Sequence, residues 1–184
     1  MPDRINTIHG AGGHGHVVTA AARANGWHVH STDQKYGTRP DGSVPYIVAI
    51  GDNRLRKSFD GDVLVSIVHP AATVDPSASI AEGVFVGPAA VIHVNAKIGR
   101  GCIINSSATV EHDCIVQAWS HICPGATLCG NVEVGEGCLI GANAVVKEGL
   151  TIVPWSKVGC GAVVVKNIVE PGTYVGNPAQ RMRG

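Results

Sequence analysis

The chain has 184 residues, of which 14 are basic and 14 acidic, and its pI is about 7.1. This balance provides no basic surface for nucleic acid or an anionic membrane, so neither partner class is the first hypothesis. Hydrophobic residues make up 45% of the chain, but aromatic residues only 4%, and there are 24 glycines. We therefore expect a narrow, repetitive core of Val, Ile and Ala.

Three further features indicate a cytoplasmic protein. No apolar run approaches the roughly 18 residues that a membrane span requires. The N-terminus lacks the basic and apolar regions of a signal peptide. The 6 cysteines show no CxxC spacing, which favours reduced thiols.

The first predicted elements are a strand at 5–9, a glycine-rich turn at 10–15 and an alanine-rich helix. A strand followed by G-x-G-x-x-G and a helix is typical of a phosphate site, because backbone amides at a helix N-terminus attract anions. The apolar face of the helix is predicted to contain Val17, Val18, Ala21 and Ala22.

Further strands are predicted up to residue 68. A second strand ends at Asp33, residues 46–53 form a third strand and a turn, and residues 63–68 form a fourth. Too few residues precede the repeats for both halves of a dinucleotide-binding Rossmann domain. The prediction is a three-layer α/β half-domain for a mononucleotide or its sugar conjugate, with a merely structural turn as the alternative.

A sixfold repeat fills the second half of the chain. From Val74 to Val164 every sixth residue is Val, Ile or Leu, 16 in succession, and the residue four places after each is Ala, Cys or Ser in 12 of them. Neither a helix nor a plain strand has this period. Three hexads predict one 18-residue coil of a triangular solenoid, with coils about 4.8 Å apart. Residues 18 apart should therefore stack, and the small inward position is occupied by Cys102, Cys114 and Cys138.

This pattern resembles the hexapeptide-repeat, left-handed β-helix acyltransferases over residues 74–169, and the tail 175–179 resembles their closing motif. With the small α/β domain in front, the chain is similar to the sugar acetyltransferases that include the sialic-acid O-acetyltransferases. It most resembles the UDP-4-amino-sugar N-acetyltransferases of bacillosamine synthesis. The segments that carry the resemblance are Gly13-His14-Gly15, Ala49-Ile50-Gly51, Asn105-Ser106-Ser107, Glu111-His112-Asp113, Ser120-His121, Gly130-Asn131-Val132 and Gly176-Asn177-Pro178-Ala179.

The resemblance implies a domain at 1–70 that binds the nucleotide sugar, a left-handed β-helix domain at 71–184, a homotrimer and acetyl-CoA as co-substrate. His112 falls two places after Val110, an outward or corner position, and Asp113 beside it can orient the imidazole. By resemblance, His112 matches the general base and Asp113 its acidic partner, where the closest relatives carry Glu. Gly130 lies one coil beyond His112 and offers an open amide as the predicted oxyanion donor.

Ligand contacts are predicted in both domains. Pro124, Ala142 and Cys160 form an 18-spaced column of compact residues that can accommodate a long, thin ligand. By resemblance, Ala142 and Cys160 contact acetyl-CoA, and His121 lies near the thioester. The nucleotide sugar is expected at seven residues: Gly12, Gly13 and His14 at the diphosphate and sugar, Asp33 and Gln34 at the base or ribose, and Asp52 and Asn105 nearby.

Several patterns also permit other chemistry. The pairs His14-x-His16 and His28-x-His30 resemble metal ligands, and a γ-type carbonic anhydrase would need His93, His112 and His121 to converge. Cys160 would be the candidate for an acyl-enzyme nucleophile. Neither alternative is favoured, because isolated H-x-H pairs are usually exposed surface and direct transfer needs no covalent intermediate. Trp119 and Trp155 are expected at subunit contacts.

The resemblance thus implies transfer of acetyl from acetyl-CoA to the 4-amino group of a nucleotide-linked 4-amino-4,6-dideoxy sugar, without a metal and with UDP as the favoured nucleotide. Two alternatives stay open. One is O-acetylation of a sialic-acid-like sugar, and the other is a β-helix scaffold without catalysis.

Overall fold

The computed structural model describes residues 5–32 and 45–182. A small parallel sheet with a helix comes first, and a parallel β-solenoid follows it. The predicted fold class is confirmed.

The N-terminal sheet has three parallel strands in the order β2-β1-β3. Helix α1, Gly13–Ala24, joins β1 to β2 and buries Val18, Ala21 and Ala22. Val17 is 38% exposed and is not part of that face, since it lies about 100° around the helix from Val18. The predicted strand end at Asp33 lies outside the described residues. The strands are β1 Ile5–His9, β2 His28–Thr32 and β3 Tyr46–Val48.

A second helix, α2 at Asn53–Lys57, follows β3. Asp52 is its N-cap, and the Asp52 carboxylate accepts a hydrogen bond of 2.8 Å from the Leu55 amide. This cap satisfies one of the free amides at the start of the helix.

The solenoid is a triangular prism whose strands are two residues long, apart from the closing strand β21. We call its sheets face one, face two and face three. Neighbouring strands in each face are 18 residues apart, as the pairing of Ile103 with His121 illustrates. Face one contains β4 Ile67–Val68, β7 Phe85–Val86, β10 Ile103–Ile104, β13 His121–Ile122, β16 Leu139–Ile140 and β19 Lys157–Val158, and is closed by β21 Thr173–Val175 and β22 Gln180–Arg181. Face two contains β5 Thr73–Val74, β8 Val91–Ile92, β11 Thr109–Val110, β14 Thr127–Leu128, β17 Val145–Val146 and β20 Val163–Val164. Face three contains β6 Ser79–Ile80, β9 Lys97–Ile98, β12 Ile115–Val116, β15 Glu133–Val134 and β18 Thr151–Ile152.

The predicted fourth strand of the N-terminal sheet is divided between the two parts of the fold. Leu64 makes only an isolated bridge with Tyr46, while β4 pairs with β7 as the first strand of face one. Val68 precedes Val74 by six residues, so the hexad series continues upstream. The prediction placed residues 67–68 in the N-terminal sheet and is wrong, because a short run of apolar and β-branched residues has the same pattern in either sheet.

The hexad residues fill the prism. From Val86 to Val164 each is at most 3% exposed, and the three cysteines at the small inward position are fully buried. Burial raises the pKa of the Cys102 thiol to about 12, which keeps that thiol protonated. These cysteines act as small apolar core residues, as predicted.

The N-terminal sheet and the solenoid share apolar cores. Phe85 and Ile103 point outward from face one and pack against Ile8, Val18 and Ile47. A second cluster joins β3 to the solenoid through the Trp119 ring. This ring is 1% exposed within the single chain, so the expectation that Trp119 lies at a subunit contact is wrong. The N-terminal part therefore covers the upper strands of face one and ends beside His121.

Candidate active site

His112 lies at the corner of the prism between faces two and three, because β11 leads into the turn and β12 leads out of it. Its side chain is 49% exposed. His112 Nδ1 lies 2.9 Å from Asp113 Oδ2. With its proton on Nδ1, the His112 ring donates a hydrogen bond to the carboxylate, and Nε2 is left with a free lone pair.

Asp113 is held from two sides. Its other oxygen, Oδ1, accepts a hydrogen bond of 3.1 Å from Asn95 Nδ2. The hydrogen bonds from His112 and Asn95 lower the pKa of the Asp113 carboxyl below its usual value, so it is ionised at neutral pH. Asn95 was not predicted, although it lies 18 residues before Asp113 and the coil spacing could have identified it.

Gly130 lies directly beneath the His112 ring. A Cβ atom at residue 130 would be 2.4 Å from His112 Nε2, a distance that no real Cβ contact shows. The Asn131 amide donates to the His112 carbonyl at 2.9 Å, which fixes the two coils relative to each other. The Gly130 N–H donates to no acceptor among the described residues. A base nitrogen and a free backbone donor are thus adjacent, as the 18-residue arithmetic predicts.

A second polar group lies where the N-terminal part meets face one. His14, at the start of α1, contacts the Phe85 ring, and its own ring centroid is 6.2 Å from that of His121. His14 Nε2 and His121 Nδ1 are both buried and have no hydrogen-bond partner among the described residues. We call the space between these two rings the histidine gap.

The His121 ring has a defined orientation. Asn105 Oδ1 accepts from the Ser106 amide at 2.8 Å, so Asn105 Nδ2 faces His121 Nε2 at 3.0 Å and donates to it. His121 Nδ1 then carries the proton of the neutral ring.

Both imidazoles of the gap are neutral. Burial, with the charge of Arg56 second, lowers the pKa of His14 to about 4. Burial, followed by the charges of Arg56 and His14, lowers the pKa of His121 to about 3, and the Gly51 backbone only partly opposes this shift. The gap therefore presents two uncharged, buried ring nitrogens without a partner among the described residues.

The remaining predicted contacts occupy two places. Gly12 and Gly13 are exposed at the N-terminus of α1, and a Cβ at either would meet no atom within 4 Å. Ala142 and Cys160 lie one coil apart at the corner between faces one and two, where Cys160 is exposed. Asp52 is exposed and caps α2. The predicted contacts at Asp33 and Gln34 lie outside the described residues.

A single chain does not bring all these residues together. His112, Asp113 and Gly130 lie at the corner opposite face one, whereas His121 points outward from face one. Ala142 and Cys160 lie at a third location, the corner beside face one. We call the corner that contains His112, Asp113 and Gly130 the catalytic corner, after its predicted role, and the predicted acetyl-CoA contacts lie on another side of the same chain.

Within residues 5–32 and 45–182, no three His, Cys, Asp or Glu side chains come together as a metal site, so His93, His112 and His121 do not converge there. None of the helices described is long and apolar enough to cross a membrane.

Comparison with known proteins places the chain in a family. The acetyltransferase domain of PglB from Neisseria gonorrhoeae FA1090, in complex with acetyl coenzyme A, is 34% identical, with a TM-score of 0.91 over 98% of this chain and 100% of that one. A histidine-to-alanine mutant of GDP-perosamine N-acetyl transferase from Caulobacter crescentus, in complex with CoA and GDP-perosamine, is 33% identical, with a TM-score of 0.91 over 100% and 99%. WeeI from Acinetobacter baumannii AYE is 25% identical, with a TM-score of 0.85 over 97% and 100%. No protein-family model matches the chain. The chain belongs to the hexapeptide-repeat sugar N-acetyltransferases.

Proposed function

We propose that this protein transfers the acetyl group of acetyl-CoA to the 4-amino group of a nucleotide-linked 4-amino-4,6-dideoxy sugar. The observation that carries the proposal is the arrangement at the catalytic corner. His112 Nε2 lies over Gly130, whose amide has no acceptor among the described residues, and Asp113 holds Nδ1. The related PglB domain and GDP-perosamine N-acetyl transferase support the class of donor and acceptor.

The chemistry is a direct transfer. His112 Nε2 takes a proton from the sugar amine as the nitrogen attacks the thioester carbonyl, and a C–N bond forms. The Gly130 amide donates to the oxygen as negative charge develops there. The C–S bond then breaks, and the proton on His112 passes to the leaving sulfur of CoA. Asp113 stabilises the imidazolium that exists between these two transfers.

The nucleotide part of the acceptor is assigned to the start of α1. The first amides of a helix have no partner within the helix and are attracted to phosphate. Gly12 and Gly13 are exposed there, with free space where their side chains would be. UDP is the favoured nucleotide, and GDP is the alternative that the Caulobacter relative suggests.

We further propose that the site is completed between copies of the chain in a homotrimer. The base is on one corner, while His121, Ala142 and Cys160 are on another side of the same prism. In a closed ring, the catalytic corner of one copy meets the binding surface of the next. Mixing His112→Ala and His121→Ala subunits should restore activity that neither variant has alone, and no recovery would contradict a shared site. The expected mass by light scattering is three times 19.0 kDa, about 57 kDa.

The activity is tested by measuring thiol release from acetyl-CoA with a panel of UDP- and GDP-linked amino sugars. His112→Ala should lower kcat by roughly 10²–10⁴ and change the KM for acetyl-CoA little. His93→Ala is the matched control, because His93 is similarly exposed at 47% and also lies near a carboxylate, that of Glu111. Absence of turnover with every amino sugar, or near-normal kcat in His112→Ala, would contradict the proposal.

A further inference from the structure

Arg56 in α2 is a buried cation that the proposed chemistry does not use. It is 1% exposed and forms no ion pair with a described carboxylate. Its guanidinium donates instead to neutral oxygens on three segments that meet behind the histidine gap. These acceptors are Gly101 O at 2.7 Å, Ile50 O at 2.8 Å, Gly51 O at 3.3 Å, Asn53 Oδ1 at 2.8 Å, Trp119 O at 2.8 Å and Ser120 O at 3.4 Å.

These contacts bear directly on His121. Trp119 and Ser120 immediately precede it in the chain, and the Gly51 backbone lies beside its ring. Asn53 attaches α2 to the next coil as well, since its Nδ2 donates to Gly137 O at 3.1 Å and Cys138 O at 3.0 Å. Because its N–H groups are all engaged, Arg56 cannot bind a ligand itself.

Stability alone does not account for an arginine here. Replacing a buried charge with well-packed apolar side chains is often neutral or stabilising. We infer that Arg56 is a positioning residue for acetyl transfer, which holds the 50–51 turn and residues 119–120 in one geometry and thereby sets the width of the histidine gap. This inference rests on the proposed function.

The charge of Arg56 has a second effect on the same gap. It faces His14 from α1, Cys102 and His121 from the solenoid, and Asp52 at the N-cap of α2. After burial, this charge is the next cause that lowers the pKa of both histidines. The charge of Arg56 therefore adds to the effect of burial, which is the main reason that both rings are uncharged.

The test compares Arg56→Met and Arg56→Lys with Lys57→Met. Lys57 is the matched control because it is on the same helix and also contacts the solenoid, through Glu136 and the Trp155 ring. In Arg56→Met, the KM for the nucleotide sugar should rise about tenfold or more, and NMR should show His14 and His121 titrating at higher pH than in the wild type. Arg56→Lys should keep the low titration of the histidines but still raise KM, since an ammonium cannot reproduce the planar fork. Lys57→Met should change neither quantity.

Two results would overturn the inference. One is an Arg56→Met enzyme with normal KM, normal kcat and unchanged histidine titration. The other is a loss of activity that only follows the folded fraction measured by circular dichroism. If Arg56→Met does not fold, Arg56→Lys and Asn53→Ala decide the matter, and normal KM in both would refute the positioning role. The histidine titration requires no turnover, so an inactive wild type would contradict the proposed function and leave this test in force.

Discussion

Replacing Gly130 with alanine tests the catalytic corner with a single methyl group. The new Cβ would lie 2.4 Å from His112 Nε2 and 2.5 Å from Cε1, whereas ordinary contact begins at 3.4 Å. The ring must therefore move by about 1 Å, and a displacement of this size can lower the rate by about 10²-fold. That loss corresponds to about 2.7 kcal/mol of transition-state stabilisation.

Stability should change little in Gly130→Ala. Gly130 is not among the residues with positive φ, so alanine fits its backbone conformation. The displaced atoms belong to the His112 side chain, which is 49% exposed and not part of the core. Alanine also keeps the backbone N–H, so the predicted oxyanion donor is retained. We expect a large fall in kcat, a small change in the KM for acetyl-CoA and a nearly unchanged melting temperature.

A double-mutant cycle with His112→Ala identifies the cause. In that background there is no ring to displace, so adding Gly130→Ala should cost little further activity. The assay is thiol release from acetyl-CoA at saturating concentrations of both substrates. Equal losses in both backgrounds would show that the methyl group acts on the acetyl group or the backbone and not on His112. Normal kcat in the single variant would refute the assigned position of the base.

Three further predictions concern the N-terminal part and its junction with face one. Gly13→Leu should raise the KM for the nucleotide sugar by about tenfold, or 1.4 kcal/mol, without lowering the melting temperature, because no atom lies within 4 Å of its Cβ position. Gly15→Ala should instead lower the melting temperature, because its Cβ would lie 1.9 Å from Gly10 O. Stability should be greatest above pH 6.5 and fall as the pH drops, because the unfolded state binds protons at His14 and His121 that the native state resists down to about pH 4 and 3. Urea denaturation at pH 7 and pH 5 should show a loss of about 2 kcal/mol for each imidazole, and a His14→Gln, His121→Gln variant should lose that pH dependence.

The sequence predicts the solenoid well because its repeat shows both which residues fill the core and which residues stack in neighbouring coils. One hexad position identifies the interior, and a spacing of 18 residues places Gly130 next to His112 and Cys160 next to Ala142. The same arithmetic applied backward from Asp113 reaches Asn95. These relationships are local in a repeating fold, so contacts between coils follow from sequence separation alone.

No fixed spacing in the sequence predicts the contacts between the N-terminal part and the solenoid. Arg56 and Asn53 belong to a helix of five residues with no periodic pattern, and their partners in the solenoid are backbone carbonyls 45 to 85 residues away. Every residue has a backbone carbonyl, so the sequence does not show which carbonyls accept these hydrogen bonds. The position of His14 opposite His121 depends on the same docking. Resemblance indicated both histidines, but only the packing shows that they face each other.

The catalytic corner also explains why a short carboxylate is suitable at residue 113. Asp113 has a φ of 58°, and the residues that stack with it, Asn95, Asn131 and Gly149, have values of 58°, 59° and 70°. Asn, Asp and Gly tolerate this left-handed conformation better than other residues do. The same residue must place one oxygen at His112 Nδ1 and the other at Asn95 Nδ2, both within 3.1 Å. A short acidic side chain satisfies the backbone and the two hydrogen bonds together, so the turn between faces two and three also supplies the group that holds the His112 ring.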